Sequence, residues 1–124
     1  MHPIVYAVKN IIREENPDLT VNDDFNKILA YIDMHGHSRK KNVFMYGPEY
    51  PIHDPRYIKM RILPKLLSES TQMFRFFSCK FRVTPAKIKT ARVVLWKEFN
   101  IMNCYTLESS FQGYFNHDRI TYDF

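Results

Sequence analysis

Two places in this 124-residue sequence carry side chains that can do chemistry together. One is His35-Gly36-His37, after the apolar run Ile28-Leu29-Ala30-Tyr31-Ile32. The other is Glu108, after Asn103-Cys104-Tyr105-Thr106-Leu107. Imidazole is a common zinc ligand and a proton carrier near neutral pH. A carboxylate next to it can act as general base toward a metal-bound water. The pairing therefore points to metal-assisted hydrolysis. The plainer reading stays open at this level. Five histidines in a chain this short form close pairs by accident, and a glutamate at a strand end is most often just solvated. Cys79 and Cys104 form no Cys-x-x-Cys unit and follow apolar or strand-like segments, so they are expected to be core thiols. His2, His53 and His117 have no partner pattern and read as surface residues. No Gly-x-Gly-x-x-Gly, phosphate-loop or Gly-x-Ser-x-Gly element occurs, which weighs against nucleotide binding and serine hydrolase chemistry.

The elements that must position these groups follow from apolar spacing and breakers. Ile4, Ala7, Val8, Ile11 and Ile12 repeat at helical spacing, and Pro3 suits a first turn, so residues 3–14 read as a helix ended by Asn16-Pro17-Asp18. Residues 27–34 read as a strand buried on both faces, as in a parallel sheet, with residues 35–42 as a polar loop at its end. Val43 to Pro48 is a short extended piece closed by a turn. Residues 55–69 are helical, with Pro64 kinking the helix or starting a second one. Phe74-Arg75-Phe76-Phe77 and Lys80-Phe81-Arg82-Val83 read as strands. Thr90 is expected to cap a helix through about Glu98, and residues 103–107 form a strand ending at Glu108. The order helix, strand, helix, strands, helix, strand implies an α/β fold: a mixed, partly parallel sheet flanked by helices. Ligands in such folds bind at the carboxyl ends of strands, where both chemical groups are expected.

Composition narrows the classes. The chain is 45% apolar and 15% aromatic with only 3 glycines, which argues against low-complexity disorder. No apolar run approaches the roughly 18 residues that span a bilayer, and no signal-peptide pattern opens the sequence. Two cysteines are too few for a disulfide framework. The expectation is a soluble, intracellular single domain. The formal charge of +5 is unevenly spread. Residues 75–97 hold seven bases and no acid: Arg75, Lys80, Arg82, Lys87, Lys89, Arg92 and Lys97. Residues 1–34 hold three bases against six acids. A basic middle between acidic flanks suggests a face for an anionic partner, although a charge run alone is more often a solvated surface.

At this point a family resemblance emerges. The fifteen residues from Asp33 to Gly47, DMHGHSRKKNVFMYG, strongly resemble the signature block of the cytosolic carboxypeptidases, zinc metallocarboxypeptidases that trim glutamates from tubulin and other acidic tails. Thr90 to Glu98, followed by Tyr105-Thr106-Leu107-Glu108-Ser109-Ser110-Phe111, resembles that family's catalytic-glutamate region, and Leu63-Pro64-Lys65-Leu66-Leu67 between them also matches. The resemblance implies that His35 is the third zinc ligand and Glu108 the general base and proton shuttle. It implies that Arg92 meets the acidic side chain of the residue removed. His37 lines the pocket or fixes its loop, and Arg39, Lys40 and Lys41 contact substrate or are solvated. The implied partners are acidic polypeptide tails such as tubulin's, with no nucleic acid and no membrane. The implied location is the cytoplasm, with cytoskeleton or cilium association.

The same resemblance implies two further zinc ligands from an upstream His-x-x-Glu element and an Asn-Arg pair for the substrate's terminal carboxylate. Neither occurs here: the residues three after His2, His35 and His117 are Val5, Ser38 and Ile120. Cys104 and Gln112 also stand where the family pattern expects Ser and Cys. Residues 1–124 are therefore expected to be the C-terminal part of a zinc carboxypeptidase catalytic domain, about half of it, carrying one zinc ligand and inactive alone. The alternative is a truncated, non-catalytic protein that binds acidic tails. A nucleic-acid-binding reading rests on the alternating aromatics and bases of residues 74–83 and ranks lower.

Overall fold

The computed structural model describes residues 3–15, 28–115 and 121–122. The expected breaker Asn16-Pro17-Asp18 and the residues His2 and His117 lie outside them. Helix α1 (Pro3–Glu15) is followed by β1 (Tyr31–His37), β2 (Val43–Tyr46), α2 (Arg56–Ser70), α3 (Ala91–Phe99), β3 (Cys104–Ser110) and a small hairpin of β4 (Tyr114–Phe115) and β5 (Thr121–Tyr122). Three strands form the main sheet in the order β1-β3-β2, with β1 parallel and β2 antiparallel to β3. The expected α/β class and mixed, partly parallel sheet flanked by helices are what the structure has.

Successive side chains alternate between the two faces of a sheet. On one face, Met45 and Tyr105 form a buried cluster with Phe74, packed by Leu63 and Leu67 of α2 and by Val43, Cys79, Phe81 and Leu107. On the other, Cys104 at the start of β3 packs with Leu95 and Phe99 of α3, Ile12 of α1 and Ile101, with Tyr31 of β1 against them. The two helical layers thus clamp the sheet but leave the far end of the second face uncovered by α3. That end holds His35, His37 and Glu108.

Pro64 neither ends nor divides α2, which runs for 15 residues. A proline at this position removes the donor that the Met60 carbonyl would use within the helix. The Tyr105 hydroxyl supplies it instead, donating to Met60 O at 2.6 Å, with all three residues buried. Helix α3 starts after Thr90 as expected. The Thr90 hydroxyl, however, donates to Lys87 O at 2.7 Å rather than serving the helix, whose first donors reach the Thr90 carbonyl. Asn100, at φ 50°, ends α3 in the left-handed conformation that asparagine tolerates.

Several expectations are corrected. The strand expected at 27–34 is β1 at Tyr31–His37, so His35-Gly36-His37 is strand and not loop. Hydrogen bonding to β3 continues through Gly36↔Ser109 and His37↔Ser110, which keeps the segment extended despite its polarity. The run is also not buried on both faces: Leu29, before β1, is 83% exposed, and Met34 is 77% exposed because α2 packs on β2 and β3 and leaves the Ile32–Met34 face of β1 open among the described residues. Residues 74–77 and 80–83 are not strands. They touch β2 at two isolated bridges, Val43↔Phe74 and Tyr46↔Lys80, separated by a 3-10 turn at Phe76–Ser78. The Cys79 thiol accepts from the Met45 N–H at 3.3 Å, taking the place of a strand carbonyl. In α1 the inward face holds Val8 and Ile12 together with Lys9, which is 6% exposed. Lys9 Nζ lies 2.8 and 2.7 Å from the two Glu98 oxygens, so an ion pair ties α1 to α3 while Ile11 faces out.

Candidate functional site

The register of the sheet makes the site. His35 of β1 and Phe44 of β2 are both opposite Glu108 on the central strand. Neighbouring strands lie about 4.8 Å apart, so the Glu108 backbone runs one strand spacing from that of His35 on one side and that of Phe44 on the other. Residues at even steps along each strand share this face: Asp33, His35 and His37 from β1, Thr106 and Glu108 from β3, and Phe44 and Tyr46 from β2. The two groups that are 73 positions apart in sequence are thus neighbours across one hydrogen-bonded ladder. Glu108 is inside β3, two residues from its end, since the strand runs past its expected limit.

The His35 side chain is 55% exposed, and its Nδ1 lies 3.4 Å from Asp33 Oδ1. A carboxylate against one ring nitrogen fixes the ring and makes the other nitrogen the one a ligand would use. Asp33 was not singled out from sequence. Its signal was available, because residues i and i−2 of a strand share a face. A cavity of about 400 Å³ opens beside this pair, lined by Val5 and Val8 of α1, Ala91 and Leu95 of α3, and Tyr31, Asp33 and His35.

His37 is partly buried, and its ring edge packs on Phe44 at 5.2 Å between centroids. Its Nε2 is shielded from solvent and has no hydrogen-bond partner. The His37 carbonyl accepts from the Phe111 N–H at 2.9 Å, which brings the Phe111 ring over Gly36. A Cβ at Gly36 would stand 1.9 Å from that ring. Arg39 is exposed on the turn after β1. Lys40 in the same turn places Nζ 5.0 Å from the Phe44 ring centroid.

Arg92 is 4% exposed, so it does not belong to the exposed basic surface. Its Nη1 donates to the Gly47 carbonyl at 2.7 Å. Burial lowers the guanidinium's pKa, while Cys104 and Tyr46 act in the opposite sense. Lys80, Arg82, Lys87, Lys89 and Lys97 are the exposed bases of the 75–97 stretch. Cys104 is a core thiol as expected: burial pushes it up to about 12, with Arg92 pulling it back. Cys79 is likewise raised by burial, and neither cysteine pairs with the other.

Among the described residues, no group of three or more His, Cys, Asp or Glu side chains is placed to hold a metal ion. A catalytic zinc site needs three protein ligands and an open position. The residues present therefore do not make a complete zinc site. Among them, too, no helix is long and apolar enough to cross a membrane.

No family model matches the chain. Individual relatives do. It is 37% identical to cytosolic carboxypeptidase 1 of Gallus gallus over 128 residues, covering 91% of this chain and 10% of that protein. It is 43% identical to cytosolic carboxypeptidase 3 of Mus musculus over 91 residues, covering 70% and 9%. It is 40% identical to cytosolic carboxypeptidase 2 of Danio rerio over 112 residues, covering 90% and 14%. The chain thus spans roughly a tenth of the length of the curated relatives it matches. Over that span, it belongs to the cytosolic carboxypeptidase family.

Proposed function

We propose that this chain supplies one zinc ligand and the general base of a metallocarboxypeptidase that removes C-terminal glutamates from acidic tails such as tubulin's. The observation that carries this reading is the His35↔Glu108 register: an exposed imidazole and a carboxylate, side by side on one face of a sheet. In this reading Glu108 takes a proton from the attacking water and delivers it to the leaving amine. Asp33 holds the His35 ring. His37 and Arg39 flank the substrate, and Arg92 gives the pocket its positive potential. The exposed bases Lys80, Arg82, Lys87, Lys89 and Lys97 raise the local concentration of an acidic tail. The remaining zinc ligands come from outside the described residues. Exposed apolar side chains on β1 (Ile32, Met34) and on the outer row of α2 (Ile58, Ile62, Leu66) support a larger catalytic domain, of which residues 1–124 form the C-terminal part. The names of the relatives support a cytosolic location, and a tubulin substrate would add the cytoskeleton or cilium.

A second reading is favoured by one observation, the lack of a three-ligand cluster among the described residues. It is a non-catalytic protein that binds acidic tails through the same basic surface. One experiment separates the two. The protein as its gene encodes it is incubated with a polyglutamate peptide, and released glutamate and bound zinc are measured. Release that stops with a chelator and with Glu108→Gln, while Glu108→Gln keeps its zinc, supports the enzyme. His35→Ala is expected to lose the metal; zinc retained in that variant refutes the ligand assignment. Tail binding with no release and no stoichiometric zinc selects the second reading.

A further inference from the structure

Arg92 is the residue expected to meet an acidic substrate side chain, yet its position limits what it can do. It lies in the first turn of α3, it is 4% exposed, and one of its donors is committed to Gly47 O. Swinging outward would leave that buried carbonyl unpaired. In front of Arg92 stands Tyr46, whose ring centroid is 6.0 Å from the guanidinium carbon. Tyr46 is the last residue of β2 and lies opposite Thr106, two positions before Glu108 on the same face. Phe44 holds the tyrosine ring edge-on at 5.6 Å and 79°. Tyr46 remains partly exposed, whereas Phe44 and Arg92 are buried. Burial raises the Tyr46 phenol, Glu108 raises it further and Arg92 lowers it, so the hydroxyl feels both charges of the site.

We propose that Tyr46 is a specificity-determining residue that touches the substrate. Its hydroxyl donates a hydrogen bond to the side-chain carboxylate of an acidic C-terminal residue, and the buried Arg92 behind its ring supplies the positive potential. Tyr46 and Arg92 act as one unit, a neutral donor at the surface backed by a fixed charge. A carboxylate held there lies at the Thr106 end of the face, two positions along β3 from Glu108, with the positive charge of Arg92 to offset the repulsion from Glu108. A glutamine side chain of the same length would lose the charge-assisted bond but keep the apolar contacts. This inference rests on the carboxypeptidase reading above.

The test uses the protein as its gene encodes it, in a Glu108→Gln background so that bound peptide persists. Fluorescence anisotropy compares two labelled peptides that differ only in ending with glutamate or glutamine. The starting protein is expected to prefer the glutamate peptide. Adding Tyr46→Phe, which keeps the ring and its contacts with Phe44 and Arg92, is expected to weaken the glutamate peptide about tenfold, the size of one hydrogen bond to a charged group. The glutamine peptide, whose neutral amide oxygen can still accept from the hydroxyl, is expected to lose less, about two- to threefold. Equal losses for both peptides would mean a structural role and overturn the proposal, as would an unchanged preference. If the starting protein binds neither peptide, the carboxypeptidase reading falls and takes the Tyr46 assignment with it. If the starting protein keeps its preference and only Tyr46→Phe is silent, Tyr46 alone is refuted.

Discussion

Replacing Tyr105 by phenylalanine removes one oxygen from the largest fully buried side chain of the sheet, and the structure says what that oxygen does. The Met60 carbonyl would ordinarily accept from the amide four residues on, but Pro64 has no N–H. The Tyr105 hydroxyl donates to it at 2.6 Å and also lies 2.9 Å from Asn103 Oδ1. Met60 and Tyr105 are each 0% exposed, so no water replaces the lost donor. Leaving a buried acceptor unpaired costs about 1–3 kcal/mol. In a domain of this size that lowers Tm by roughly 4–12 °C. Trp96, the one tryptophan, reports unfolding from α3, and urea melts followed by its fluorescence measure the loss. The sharper check is a double-mutant cycle with Pro64→Ala, which restores the missing N–H. Pro64→Ala should be more favourable in the Tyr105→Phe background than in the wild type by about 1–2 kcal/mol, since only there does Met60 lack a partner. A cost for Tyr105→Phe below about 0.5 kcal/mol, or an additive cycle, refutes the reasoning.

Three further outcomes follow from local geometry. Gly36→Ala brings a Cβ against the far end of the Phe111 ring, which is 70% exposed and can rotate away, so the change is expected to displace the ring and cost less than about 1 kcal/mol in urea melts, with Phe111→Ala in the same chain recovering it. A cost that persists without the ring would place the strain elsewhere. Asp54 is held down to about 2 by Arg56, whose side chain and backbone N–H both donate to it. Its folded pKa is below the unfolded value, so its contribution is present above about pH 4 and is lost as pH falls toward 2. Asp54→Asn should flatten the acid limb of the stability profile over that window, and an unchanged limb would contradict the assignment. Cys104 should resist iodoacetamide at pH 8 in the folded protein and react only on unfolding, because its thiol is buried and shifted to about 12.

Much of the architecture was legible because it rests on local pattern. The helix through α2, the start of α3 after Thr90 and the strand character of residues 43–46 and 104–107 follow from spacing and breakers within a few residues. What misled was polarity taken as a sign of loop. His35-Gly36-His37 looks like a turn, yet it is the last part of a strand, since pairing with Ser109 and Ser110 satisfies its backbone. Arg92 likewise sits in a basic stretch of sequence without joining the basic surface. Helical position buried it, and Gly47 took one of its donors.

The sequence by itself determined which groups could react. The Asp33–Gly47 block and the Glu108 region marked an imidazole and a carboxylate, and their order along the chain named the family they resemble. Tertiary structure decided which of them meet and what stands around them. Pairing register is a long-range property, set by which strand lies between which, so only the fold could place His35 and Phe44 on either side of Glu108. Only the fold could set Tyr46 in front of a buried Arg92, or turn the Tyr105 hydroxyl into the donor that Pro64 lacks. These contacts join residues about 45 to 73 positions apart, beyond the reach of any local periodicity.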